Sequence, residues 1–315
     1  VKRRSAWKLA LFAAALAVSL LGALAAGPGG WAPPDIFWNL RLPRVLLGAA
    51  VGAGLATAGT VLQGLSGNPL ADPFVLGSSS GAAVGVVLAR TAGISIASAP
   101  LFLAAGAGAF GALAAAWALA RTGGRIPIER LVLSGVAVST LGSALVLIGL
   151  HFAREDSYAI LSFLVGNLSG GDRRSLAVGG GAVVLSVLAV CAFGRALNAL
   201  ALGDDKARTL GVRTESAKAA LALLCSAIVG ASVAVAGMIG FVGLLVPHLV
   251  RRIVGPDHRA LLPAAALGGA AFLVLVDALA RTAARPSEFP VGVITALCGA
   301  PFFLWCLRRR APLLV

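Results

Sequence analysis

The sequence predicts an all-α, polytopic membrane protein of about ten transmembrane helices in one transmembrane domain over residues 1–315, and three observations predict it. Hydrophobic residues make up 59% of the chain and charged residues only 12%, with a mean hydropathy of +0.95, a balance foreign to soluble domains. Ten apolar runs of near-bilayer length follow one another with short connections, where roughly 20 apolar residues suffice to cross a bilayer core. The basic residues gather between those runs, where they act as determinants of topology.

The runs are Leu9 to Ala26, Val45 to Leu65, Phe74 to Ala89, Ile96 to Ala120, Leu131 to Phe152 and Leu176 to Phe193, then Ala217 to Ala236, Ile239 to Val250, Leu261 to Ala280 and Val291 to Leu307. The first is long and lacks a small-residue cleavage site, which makes it a retained span and not a signal peptide. The seventh and eighth must be separate, because one helix from Ala217 to Val250 would be about 50 Å long. Gly237, Gly240 and Gly243 mark the turn between them. The eighth span is then short and needs neighbouring protein to shield its ends.

Lys and Arg number 26 against 12 Asp and Glu, a net charge of +14. In a soluble chain that excess would suggest nucleic acid, but no aromatic-basic interleaving of that kind is present. With ten spans both termini share a side. That side carries Lys2, Arg3, Arg4 and Lys8; Arg121, Arg125 and Arg130; Arg195, Lys206, Arg208, Arg213 and Lys218; Arg251, Arg252 and Arg259; and Arg308, Arg309 and Arg310, which is 18 of the 26. By the positive-inside rule both termini are cytoplasmic. Cys191, Cys225, Cys298 and Cys306 lie inside apolar runs at spacings that match no metal site, and read as buried free thiols.

Gly52 to Gly59 (GAGLATAG) is echoed by Gly230 to Gly237 (GASVAVAG), and the same offset aligns Pro69 with Pro247 and Gly77 with Gly255. In a chain so rich in Ala and Gly this is as compatible with coincidence as with duplication. A real duplication starting in the second and seventh spans would make a possible inverted repeat, as in many transporters. Gly77, Gly81 and Gly85, at four-residue spacing with Ser78, Ser79 and Ser80 between them, predict close backbone contact between helices.

The chemistry of an engine is missing. There is no Gly-x-x-x-x-Gly-Lys-Ser/Thr phosphate loop, no Ser/His/Asp order, no His-Glu-x-x-His and no pair of intramembrane carboxylates. Asp277, at the end of a span, precedes Arg281 by four residues, which predicts a local ion pair. Two connections have more character than a linker needs. Asn68-Pro69-Leu70-Ala71-Asp72-Pro73 breaks the helix twice and predicts a rigid cytoplasmic elbow. The longest cytoplasmic connection, Arg195 to Ser216, contains a segment from Ala201 to Gly211 that predicts a short helix ended by glycine, suited to docking a partner.

Arg41-Leu42-Pro43-Arg44, Gln63, Asn68 to Pro73, Leu76-Gly77 and Ser80-Gly81-Ala82 resemble the permease family of ABC importers for ferric siderophores, haem and cobalamin (the FecCD type). The second half agrees in Gly240 to Leu244, Pro247 to Arg251, Gly255 to Arg259, Asp277 to Arg281, Glu288 to Gly292 and Gly299 to Phe302, so the likeness covers nearly the whole chain in order. The resemblance implies a permease that is no enzyme, working as a homodimer in a bacterial or archaeal cytoplasmic (inner) membrane. It further implies two ATP-binding-cassette ATPase subunits beneath, which hold the ATP and Mg, and a soluble or lipid-anchored substrate-binding protein outside. This chain itself would bind no cofactor, metal or nucleic acid.

Residue by residue, the resemblance matches Arg41, Arg44 and Arg281 to positions that pair with acidic residues of the binding protein. It matches Asn68, Pro69 and Leu70 to an inner gate, with a second gate segment at Ile128 and Glu129, where the small hydroxyl residues of some members are missing. Leu202, Gly203, Ala207, Leu210 and Gly211 fall in the segment that couples to the ATPase. His248 reads as structural and His151 as interfacial. The cargo implied is an iron chelate, a ferric siderophore or haem, with a corrinoid as the alternative. A secondary carrier that works without an ATPase, or an intramembrane enzyme, would be the rival classes.

Overall fold

The computed structural model describes residues 2–26, 33–95, 98–121, 127–152, 160–161, 164–283 and 287–308. Ile96, Arg125, Arg309 and Arg310, named above, lie outside them, as do the side chains of Lys2, Arg3, Arg4, Ile128 and Cys306. Among the described residues the regular structure is helical, with no strand. In chain order it comprises α1 (Lys2–Ala25), α2 (Pro34–Ser66), α3 (Ser78–Thr91), α4 (Ala99–Ala120), α5 (Ile128–Phe152) and α6 (Arg173–Ala192). Two short helices follow, α7 (Gly194–Leu200) and α8 (Asp204–Thr209), and then α9 (Thr214–Ala236), α10 (Val242–Val254), α11 (His258–Thr282) and α12 (Val291–Arg308).

Each of the ten apolar runs coincides with one of these helices. Seven of them, α1, α2, α4, α5, α6, α9 and α11, are long and apolar enough to cross a membrane. By contrast α3 has 14 residues and α10 has 13. At about 1.5 Å per residue they reach only about 20 Å, so neighbouring helices must cover their ends.

Helix α2 begins at Pro34, well ahead of the apolar run that starts at Val45. A proline in the first helical turn costs nothing, since its missing N–H would have no intrahelical partner there. The helix therefore carries Arg41 and Arg44 inside itself, through a π-turn at Phe37–Arg41. A second π-turn, Leu176–Gly180, interrupts α6. The division expected between the seventh and eighth spans is present: α9 stops at Ala236, Gly237 takes φ 68°, and α10 starts at Val242.

Helix α2 runs through the middle of the bundle, packed against α11, α10, α9 and α6. Small residues permit the closest approaches. A Cβ on Gly52 would strike the Gly269 carbonyl of α11, and one on Gly59 the Gly243 carbonyl of α10. Gly81 and Gly85 of α3 lie in the same way on Gly108 and Ala104 of α4, the tight contact that their spacing predicts. The packing also bears on the echoed segments. Helix α2 rests on α10 and α11, as α9 rests on α3 and α4, and Gly230 of α9 meets Ala109 of α4 as Gly52 meets Gly269.

The thiols need one correction. Cys225 is fully buried and Cys191 half-buried, but Cys298 is exposed. It follows Leu297 on α12, where Val293, Leu297 and Leu304 are exposed as well; an apolar run in a membrane protein has an outer face as well as an inner one.

Candidate functional site

The bundle gathers the residues singled out by sequence at its two ends. Helices α2 and α11 are antiparallel, with Arg44 beside Asp277, Gly52 beside Gly269 and Gly64 beside His258. The arginine motif of α2 therefore meets the last turns of α11. The Asn68 elbow, about 36 Å further along the chain at helical rise, meets the first turn of α11.

At the arginine end, Arg44 donates from Nε and Nη2 to Asp277 Oδ1 at 3.0 and 2.9 Å, while its Nη1 lies 2.9 Å from Glu288 Oε2. Arg281 forms the expected local pair, its Nε 3.0 Å from Asp277 Oδ2, with the N–H aimed at the Asp277 carbonyl. Its other nitrogens donate to Ala23 O and Ala26 O, and Arg41 Nη1 donates to Leu24 O at 3.1 Å. The last carbonyls of α1, which lack intrahelical partners, are thus satisfied by cations that also suit the negative end of the helix dipole. Asp277 is 1% exposed, Arg281 4%, Arg41 8% and Arg44 9%. Among the described residues, three guanidinium groups and two carboxylates gather here. Glu288 is the most exposed member, its side chain 32% accessible. Sequence reasoning quoted Glu288 as part of a motif but missed its pairing with Arg44.

At the opposite end the elbow is held by its own side chains. Ser66 Oγ accepts from Asn68 N at 3.2 Å, and Asn68 Oδ1 accepts from Leu70 N at 3.0 Å. Asp72 Oδ1 accepts from Phe74 N at 2.9 Å and so caps the 3₁₀ turn Pro73–Leu76. Burial pushes the Asp72 carboxyl above its ordinary range, against the opposing pull of the Phe74 N–H. Asn68 is exposed, Pro69 buried and Leu70 half-buried. The brace is Gln63, whose Nε2 donates to Gly243 O and Leu244 O of α10 at 3.3 and 3.4 Å. Ile128 and Glu129 open α5, and Glu129 is exposed. One turn on, Leu131 shares a narrow cavity with Leu62, Leu65 and Leu76, which sets this second segment beside the elbow's helix.

The segment from Ala201 to Gly211 lies at the same end. Gly203 (φ 98°) and Gly211 (φ 81°) bracket α8 in backbone conformations that favour glycine. Ala207 is buried, while Leu202 and Leu210 are 57% and 63% exposed. Lys218 pairs with Asp204 and ties α8 to the first turns of α9. Leu202 and Leu210 stand, with Phe193, Asn198 and Val212, around an open recess of about 660 Å³. Asn198, which drew no attention in the sequence, donates from Nδ2 to Asp257 Oδ1 at 2.7 Å, and its Oδ1 accepts from the His258 amide at 2.9 Å. His248 packs edge-on against Phe302 at 5.7 Å, a packing contact as expected. Among the described residues no group of three or more His, Cys, Asp or Glu could hold a metal ion.

The bundle thus carries a charged cluster at one end, and at the other a braced elbow near a short helix flanked by exposed leucines. The chain belongs to the FecCD transport family, whose profile matches residues 5–309. It is 47% identical to the cobalamin import system permease protein BtuC of Halobacterium salinarum, over 87% of this chain and 74% of that one. It is 43% identical to the hemin transport system permease protein HmuU of Yersinia pestis, over 87% and 84%. Among solved structures, an inward-facing metal-chelate type ABC transporter superposes with a TM-score of 0.88 at 32% identity, covering 96% of this chain and 98% of that one.

Proposed function

We propose that two copies of this chain form the translocation pathway of an ATP-driven importer for a bulky metal chelate, with both termini in the cytoplasm of a bacterial or archaeal cell. Two ATPase subunits bind ATP and Mg beneath it, and a soluble or lipid-anchored binding protein delivers cargo from outside. The observation that carries this reading is the pairing, at one end of α2 and α11, of the Asn68 elbow with a segment whose leucines Leu202 and Leu210 stand exposed among the described residues. Closure of the ATPase pair against Leu202 and Leu210 displaces α7 and α8, and the elbow at Asn68, Pro69 and Leu70 with the segment at Ile128 and Glu129 opens or shuts the inner mouth.

The other end receives the binding protein. Arg41, Arg44 and Arg281 supply guanidinium groups suited to its carboxylates. Since these arginines are already engaged internally, an incoming carboxylate takes the place of Glu288, the exposed partner of Arg44. The cargo is an iron chelate, ferric siderophore or haem; the relative from Halobacterium, named for cobalamin import, favours a corrinoid as the second reading.

The test is ATP hydrolysis by the purified permease with its ATPase. Stimulation by the cargo-loaded binding protein is expected, and its absence counts against the assignment. Cargo uptake by the permease alone, without ATP, would support the rival secondary carrier. The absorption spectrum of cargo retained by the cognate binding protein separates haem, ferric siderophore and corrinoid.

A further inference from the structure

We infer that His258 is the positioning residue that carries displacement of the ATPase-docking segment to the inner gate, through the contact of its ring edge with Gly64. The inference rests on the proposed function and adds to it a specific mechanical link.

The link has three parts. First, α7, which leads into the docking segment, is fastened to the start of α11. Asn198 Oδ1 accepts from both the His258 amide and His258 Nδ1 at 2.9 Å, and Asn198 Nδ2 holds Asp257 at 2.7 Å. Gly194 lets the backbones touch, since a Cβ there would lie 3.2 Å from Arg259 Cα. Second, the ring cannot rotate. With Nδ1 donating to Asn198, Nε2 carries a lone pair, and the side chain is 95% buried with Nε2 lacking any hydrogen-bond partner among the described residues. A buried polar atom left unpaired calls for an explanation, and an apolar side chain would fill the same space without that cost. Third, Nε2 points into the last turn of α2 with no slack: a Cβ on Gly64 would lie 2.6 Å from it. Four residues further on stands Asn68. On its other side the same turn is gripped by Gln63, which bonds to the start of α10.

Movement of α7 and of the first turn of α11 must therefore push on α2 next to the elbow. Tightly packed elements move between discrete arrangements and do not absorb a shift by soft deformation. Helix α7 also packs directly on α2, and His258 adds a contact at Gly64, four residues before Asn68.

The test uses the permease assembled with its ATPase in nanodiscs. Cys191, Cys225, Cys298 and Cys306 are replaced, and one reporter thiol is placed in the elbow as Ala71→Cys. The labelling rate with a polar maleimide is measured without nucleotide and with ATP plus vanadate. The reference complex is expected to change its rate severalfold between the two conditions. In His258→Ala that change is lost, while ATP hydrolysis continues at a rate close to the reference. Gly64→Ala, which drives a methyl group into the ring edge, alters the labelling rate without nucleotide. The double variant recovers part of the nucleotide response, because the new methyl group occupies volume the ring vacated. Should His258→Ala fail to assemble, Asn198→Ala loosens the same link at its other end, and the same loss of the labelling change is expected. A nucleotide response in His258→Ala or Asn198→Ala equal to that of the reference overturns the inference. Absence of any response in the reference complex counts against the proposed function itself, and so is told apart.

Discussion

Substitution of Asp277 by Asn separates a structural ion cluster from a superficial one. Asp277 is the shared counterion of Arg44 and Arg281, at 2.9 and 3.0 Å, and is 1% exposed. Removing one member of a buried pair costs about 3–5 kcal/mol, because the remaining charge stays buried without compensation. Arg44 keeps Glu288, and Arg281 keeps two carbonyls of α1, so the lower end applies, about 3 kcal/mol. For a chain of this size that lowers the melting temperature by about 5–10 °C. Glu288→Gln is the matched control. Its side chain is about one-third accessible, screening weakens the pair, and the expected cost is about 1 kcal/mol or less. Thermal unfolding of the purified permease in nanodiscs, followed by tryptophan fluorescence, reads both. If Asp277→Asn melts within about 2 °C of the parent, or if Glu288→Gln costs more than Asp277→Asn, the cluster does not hold this end together and the reasoning from burial is wrong.

Three further outcomes are expected. Gly52→Ala, which drives a methyl group onto the Gly269 carbonyl, destabilises by about 1–3 kcal/mol or more in the same melting assay, whereas Gly106→Ala, with open space around it, is neutral. Leu202→Ser with Leu210→Ser leaves the melt unchanged, because both side chains are exposed, but reduces retention of the ATPase subunit on size-exclusion chromatography. The hydrogen bond from Asn198 lowers the Asp257 carboxyl below its usual value, helped by the Arg259 amide and opposed by burial. A depressed carboxylate contributes stability above its unfolded pKa and loses it as pH falls through the folded value. Asn198→Ala removes the main cause, so its melting temperature declines less steeply from pH 5 downward than that of the parent.

Much of the fold was legible because a bilayer leaves few options. Every apolar run became a helix, and the length limit alone forced a break near Gly237. What stayed hidden depended on relations between distant residues or on backbone detail. The π-turns at Phe37–Arg41 and Leu176–Gly180 have ordinary composition, so nothing in local pattern separates them from α-helix. The i, i+4 pair of Asp277 and Arg281 could be read from spacing. The second partner of Asp277 lies 233 positions away, however, and only the antiparallel packing of α2 on α11 brings it close. The docking segment was visible through its glycines, whereas Asn198 and the His258 to Gly64 contact were not, since one asparagine in a polar connection and one glycine in a small-residue helix carry no signal alone.

Phe241 has a consequence of its own. It is the only non-glycine among the described residues at positive φ, 66°, an arrangement that costs an L-residue about 1–2 kcal/mol in torsional energy. Its ring lies against Gly299 of α12, where any larger residue would collide with it. The last helix therefore packs directly on the reversal between α9 and α10, and the missing side chain of Gly299 is what makes room for the ring there.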